Sequence, residues 1–190
     1  RLTRLIRNAS YADPAACVEN IEYLPERKLD REQILRLASC AYLHEAHHVI
    51  ILGATGVGKT YLACALGMAA NRSFYSVRYI RLPDLLVEIS VARANGTYRD
   101  YMKKLKKEKL LILDEWLLLK PTMQEQKDIF ELLHRRRKKS STIFCSQFHT
   151  EGWYEQLGGD DSPLADAILD RIIHDGYRIN IESTDPTRDI

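Results

Sequence analysis

Cysteine is scarce and scattered. Cys17, Cys40, Cys64 and Cys145 form no C-x-x-C pair, which argues against a zinc site and against a disulfide framework. Buried thiols in a reducing, cytoplasmic setting are the simple reading. Long apolar runs are missing as well, since nothing approaches the roughly 18 to 20 apolar residues that a membrane span needs; no membrane partner is expected. With 9 glycines and 6 prolines in 190 residues, no low-complexity linker divides the chain, and no internal repeat stands out. Residue 1 is Arg, and no basic-then-apolar leader follows it, so the natural N-terminus is expected to be missing.

What is present is ordinary for a globular α/β unit: 45% apolar and 28% charged residues, on a length that can cover a central sheet on both sides. The net charge of +2 conceals a polarity, because ten of the 26 acidic residues but only three of the 28 basic ones lie from Glu151 onward. Such asymmetry points toward nucleic acid, although a solvated basic face gives the same count.

Residues 1–29 show weak periodicity and read as an N-terminal arm or linker with short helical pieces; residues 30–190 read as one core domain. Asp30 has the character of an N-cap for a helix carrying Ile34, Leu35, Leu37, Ala38, Ala41 and Tyr42 at helical spacing. Strand and helix then alternate. Strands are predicted at His48 to Leu52, Tyr75 to Arg81, Leu110 to Asp114, Thr142 to Cys145 and Tyr177 to Ile181. The helices between them include one with Pro83 in its first turn, one capped by Thr97, and one opened by a Thr122–Glu125 capping box. A mainly parallel sheet covered on both faces follows from that alternation.

The strongest chemical signal is Gly53-Ala54-Thr55-Gly56-Val57-Gly58-Lys59-Thr60, which fits G-x-x-x-x-G-K-[ST] between a predicted strand and a predicted helix. Such a loop turns backbone N–H groups toward phosphate oxygens, and the helix behind it adds partial positive charge. Tyr61 is counted with this cradle. Lys59 is expected on the β- and γ-phosphates of ATP and the Thr60 hydroxyl on Mg2+. The apolar strand ending Asp114-Glu115 supplies a second carboxylate pair: Asp114 to hold magnesium through water, Glu115 to polarise the attacking water. Ser146 and Gln147 follow the fourth strand, where either can sense the γ-phosphate. Arg171 is a candidate arginine finger for a neighbouring subunit; a salt bridge, for instance with Asp175, is the bland alternative.

Two basic clusters, Lys103, Lys104, Lys106 and Lys107 before the acidic strand and Arg135, Arg136, Arg137, Lys138 and Lys139 after the long helix, are candidates for DNA phosphates. Cations at helix C-termini are equally accounted for by the helix dipole. Tyr98, Tyr101, Trp153 and Tyr154 can stack on bases, but aromatic residues more often fill cores. His44, His47 and His48 lack a carboxylate or Cys at ligand spacing and read as ordinary helix-end histidines.

Together, Ile50 through Thr60, Leu110 through Trp116, Ser141 through Gln147 and Asp166-Ala167-Ile168-Leu169-Asp170-Arg171 resemble the IstB-like ATPases, the ATP-binding helpers of insertion-sequence transposition. These are related to DnaC-type replicative helicase loaders within the AAA+ class. The resemblance runs from about Leu29 to Ile181. It implies a five-stranded parallel sheet in order 5-1-4-3-2, ATP-dependent assembly on DNA into a ring or helix, and a transposase partner, with a replicative helicase as the alternative. It also implies Lys59 and Thr60 in Walker A, Asp114 and Glu115 in Walker B, Ser146 or Gln147 as sensor, and Arg171 as finger. Few residues follow Ile181, which leaves little for a helical lid. Two other functions fit the loop itself: a P-loop small-molecule kinase, and a nucleotide switch with negligible turnover.

Overall fold

The computed structural model describes residues 1–174 and 176–182. In chain order the elements are α1 (Leu2–Ala9), α2 (Arg31–Ala38), α3 (Ala41–His44), β1 (His48–Leu52), α4 (Lys59–Arg72), β2 (Val77–Arg81), α5 (Leu82–Ala94), α6 (Tyr98–Lys107), β3 (Leu110–Asp114), α7 (Met123–Arg136), β4 (Ser141–Ser146), α8 (Thr150–Gln156), α9 (Ala165–Ile173) and β5 (Gly176–Asn180). Short 3-10 turns at Val18–Asn20 and Pro25–Arg27 punctuate the segment before α2.

All strand pairs are parallel, in the order β2-β3-β4-β1-β5. This is the expected 5-1-4-3-2 order read from the other edge. The three inner strands β1, β3 and β4 are buried along their whole length, as strands covered on both faces must be, and this is why they read as unbroken apolar runs. Alternation splits them between two cores. Val49, Ile51, Ile112 and Ile143 face α4 and the N-terminal segment, while Ile50, Leu111, Leu113 and Phe144 face α5 to α9.

The N-terminal segment is packed onto this body. Ala9, Ala16, Val18 and Ile21 are buried in the α4-side core. Tyr11 donates a 2.6 Å hydrogen bond to Asn71 Oδ1 and crosses α4 at Gly67, where any Cβ would stand 2.7 Å from its ring.

Several local expectations are corrected. The helix predicted from Asp30 through Tyr42 is broken, because Cys40 adopts a left-handed φ of 69° and separates α2 from α3. Asp30 does cap α2 through the Gln33 N–H. Thr97 does not cap α6; its hydroxyl bonds back to the Ala92 carbonyl. The Thr122–Glu125 capping box is present in both directions. Trp153 is no base-stacking platform: it is fully buried against Phe144 and Trp116. Tyr98 lies under the Arg93 guanidinium and Tyr101 donates to Glu88. His48 accepts the Thr142 N–H and His47 pairs with Glu45.

Candidate nucleotide-binding site

Parallel α/β sheets collect chemistry at the carboxyl ends of their strands, and four strand ends converge here. The loop after β1 runs Gly53 to Gly58, where Gly58 takes φ +104°, a backbone conformation that disfavours any side chain. It opens α4 directly at Lys59. With Asp114, Glu115 and Gln147 the loop lines a cleft of about 370 Å³. Lys59 Nζ donates to the Gly53 and Ala54 carbonyls at 2.6 and 2.9 Å, so its ammonium is held inside the loop. Burial lowers its pKa, opposed by the neighbouring Cys145 and Asp114.

Thr60 Oγ1 donates to Asp114 Oδ2 at 2.6 Å. Tyr79, in the middle of the neighbouring strand β2, donates to the same oxygen, and the Glu115 N–H donates to Oδ1 at 2.9 Å. Asp114 is therefore buried but supplied with donors on both oxygens. Burial, and then the bond to Asp114, raise the Tyr79 pKa, so the phenol stays protonated. A hydroxyl and a carboxylate oxygen in contact beside a phosphate-type loop form an all-oxygen donor set suited to Mg2+, which takes few protein ligands and keeps its remaining positions for phosphate and water.

Glu115 follows with φ 53°, strain of about 1 kcal/mol for a residue with a side chain. Strain of this kind is characteristic of sites where a side chain must be aimed. Its carboxylate pairs with Arg81 at 2.7 Å, and Arg81 also holds Asp84 at 3.2 Å. Tyr79 and Arg81 were not among the residues singled out from sequence. Their signal is the register, in which Arg81 stands beside Asp114, and no local motif reveals it.

Of the two sensor candidates, Gln147 lines the cleft and its Oε1 accepts from Thr55 Oγ1 at 3.1 Å. The Ser146 hydroxyl is buried and accepts the Phe148 N–H. The phenol of Tyr61 points away from the loop and exchanges long contacts with the Cys17 backbone, so only its main chain remains with the cradle. Arg171 stands on α9, away from the cleft lining: it donates to the Ala167 carbonyl, contacts His134 Nδ1 at 3.2 Å and lies 4.3 Å over the Phe130 ring. Asp175 lies outside the described residues.

The basic clusters divide. Lys103, Lys104, Lys106, Lys107, Arg137, Lys138 and Lys139 are exposed, and Arg135 is paired with Glu131 at 2.6 Å. Arg136 is a correction: it is 1% exposed and donates at 2.7 Å to each of the Leu105, Glu108 and Ser141 carbonyls. Burial lowers its pKa to about 10, so it remains a cation at neutral pH, but its donors are engaged inside and none reaches a DNA phosphate.

The profile of the family described as IstB-like ATP binding protein matches residues 1–188. The chain belongs to this family. An insertion sequence ATP-binding protein of Sinorhizobium fredii is 39% identical over 166 residues, covering 87% of this chain and 67% of that relative. Among solved structures, AMPPCP-bound DnaA from Aquifex aeolicus superposes with a TM-score of 0.75 at 21% identity, over 91% of this chain and 52% of that one. DnaI does so with a TM-score of 0.70 at 23% identity, over 97% of this chain and 92% of that one. The two superpositions show the fold, that of AAA+ P-loop proteins; the family is an ATP-binding one. The chain spans about two thirds of the insertion-sequence relative and about half of DnaA.

Proposed function

We propose that this IstB-family chain binds ATP with Mg2+ at the Gly53–Thr60 loop, hydrolyses it, and assembles on DNA to help a transposase engage its target. The carrying observation is the Thr60–Asp114 pair at 2.6 Å with Glu115 and Gln147 on the same cleft. The family relationship adds the insertion-sequence setting.

In this reading the loop N–H groups and Lys59 hold the phosphates, and Thr60 and Asp114 hold the metal. Bound Mg2+ supplies charge neutralisation of the phosphate oxygens. Gln147 reads the terminal phosphate. Glu115 polarises water once its carboxylate turns from Arg81 toward the cleft. Arg171 acts in trans, on a phosphate held by the next subunit.

DNA contact is assigned to the exposed lysines of α6 and to Arg137, Lys138 and Lys139. Arg136 ties the C-terminal turns of α6 and α7 together, so two clusters distant in sequence form one basic end of the molecule. That end lies at the amino termini of β3 and β4, a strand length of roughly 16 Å from the nucleotide edge. Phosphate release from ATP measured with and without duplex DNA tests the reading: stimulation by DNA is expected, and ATP-independent DNA binding with no turnover would refute it. The superposition on the DnaC helicase loader, covering 96% of that chain with a TM-score of 0.68, favours a helicase loader as the second reading. Capture by purified transposase against purified replicative helicase separates the two.

A further inference from the structure

The loop has a second neighbour that no Walker motif includes. Arg27, in the 3-10 turn Pro25–Arg27, donates from Nη2 to the Val57 carbonyl at 3.0 Å and from Nη1 to the Glu22 carbonyl at 2.8 Å. Its Nη2 stands 2.7 Å from where a Cβ on Gly58 would be, so the guanidinium lies directly against the loop. The turn is anchored beyond the side chain, since the Arg27 carbonyl accepts the Glu182 N–H at 3.1 Å and Lys28 pairs with Glu182 at 3.3 Å.

Among the described residues, Arg27 has no carboxylate within ion-pair distance. Its recorded acceptors are two neutral carbonyls, and a guanidinium has five N–H donors. Hydrogen bonds to a charged acceptor are roughly twice as strong as those to a neutral one, so exchanging Val57 O for a phosphate oxygen is favourable. The location says which phosphate. Asp114, Glu115 and Gln147 define the end of the cleft for the terminal phosphate, and Gly58 lines that cleft while touching Arg27. Arg27 thus stands at the loop's outer rim, over which the nucleoside end of a bound nucleotide must leave.

We infer that Arg27 is a nucleotide-binding residue, which closes over the phosphate loop and contacts the phosphate nearest the nucleoside. This rests on the reading of the loop as the ATP site. The consequence is selective by position along the polyphosphate. A group at the terminal phosphate distinguishes ATP from ADP, whereas a group at the nucleoside-proximal phosphate serves both alike.

The test is calorimetric titration of ATP and ADP into the full chain carrying Arg27→Ala, Arg27→Lys, Gln147→Ala or Lys59→Ala, with melting temperatures measured without nucleotide. The expected result is that Arg27→Ala weakens ATP and ADP by the same factor, about tenfold, with Arg27→Lys in between, and that Gln147→Ala weakens ATP only. If Arg27→Ala binds both nucleotides like the parent, or melts lower while affinity measured well below its melting point is parental, Arg27 only straps the N-terminal segment and the inference fails. Should Arg27→Ala not fold, Arg27→Lys decides: equal weakening of both nucleotides supports the contact, and parental affinity for both overturns it. Lys59→Ala keeps the underlying reading separate, because parental nucleotide binding in that variant removes the loop assignment itself, whatever Arg27 does.

Discussion

Lys59 is held by the carbonyls of its own loop, so its ammonium is already aimed where phosphates are proposed to enter. A ligand that binds only the folded state at one hundred times its Kd stabilises by about 2.7 kcal/mol, or roughly 5 to 10 °C for a domain of this size. The parent should show that shift with ATP and Mg2+ in a thermal melt, and Lys59→Ala should lose it. An unchanged shift would remove Lys59 from phosphate binding. Glu115→Gln preserves shape but cannot act as the water-polarising carboxylate, so ATP affinity should persist while phosphate release falls by at least about a hundredfold. Turnover at the parental rate would pass the role to another group.

At the scale of elements, Arg136 joins α6, α7 and the start of β4 by donating to the Leu105, Glu108 and Ser141 carbonyls. Arg136→Met keeps apolar volume but removes three hydrogen bonds from a charged donor, each worth about 1 kcal/mol or more, so a loss of about 3 kcal/mol in urea unfolding is expected. Arg137→Ala, exposed and 3.9 Å from Asp170, should change stability by no more than about 0.5 kcal/mol. Equal losses would mean that Arg136 is not the tie between the helices. DNA binding should respond in the opposite order. Reversing Arg137, Lys138 and Lys139 to Glu should weaken duplex binding and flatten its salt dependence, since each phosphate contact contributes about 0.9 to the log-log slope. The parental slope in that variant would assign these cations to solvent.

For the whole molecule, the question is whether an active site is completed by a second copy. Arg171 is parked over Phe130 within its own chain, a cation–π contact at a half-buried position worth on the order of 1 kcal/mol. A finger acting in trans must leave that position, and a structural residue has no reason to. Arg171→Ala should therefore melt close to the parent yet hydrolyse ATP far more slowly, by on the order of 10³ if it behaves like the fingers of GTPases. Mixing it with Lys59→Ala should restore activity above either alone, because some interfaces then pair an intact loop with an intact finger. Head-to-tail interfaces of that kind make rings or open helices, so particle size should grow with an ATP analogue and DNA. No rescue on mixing would confine Arg171 to its contacts with Phe130 and His134.

Much of this architecture was legible along the chain because its causes are local. Gly53 to Thr60 announce a phosphate-type loop by residue type alone. The inner strands announce burial by unbroken apolar runs, and Thr122 with Glu125 announces a helix start by spacing. The order of the strands came from family resemblance, since periodicity does not say which strands are neighbours.

Other features depended on which residues the tertiary structure brings together. Arg136 sits in a run of five cations, and only the packing of α6 against α7 turns it inward. Ser146 and Gln147 are adjacent in sequence, yet Ser146 ends β4 with its hydroxyl buried, while Gln147, just past the strand, lines the cleft. Arg81 meets Glu115, and Arg27 meets Val57, across separations of 34 and 30 residues. The sequence by itself determined the type of site, because the loop chemistry is encoded in consecutive residues. Tertiary structure decided which side chains complete it, because a side chain's direction and partners are set by the elements packed around it.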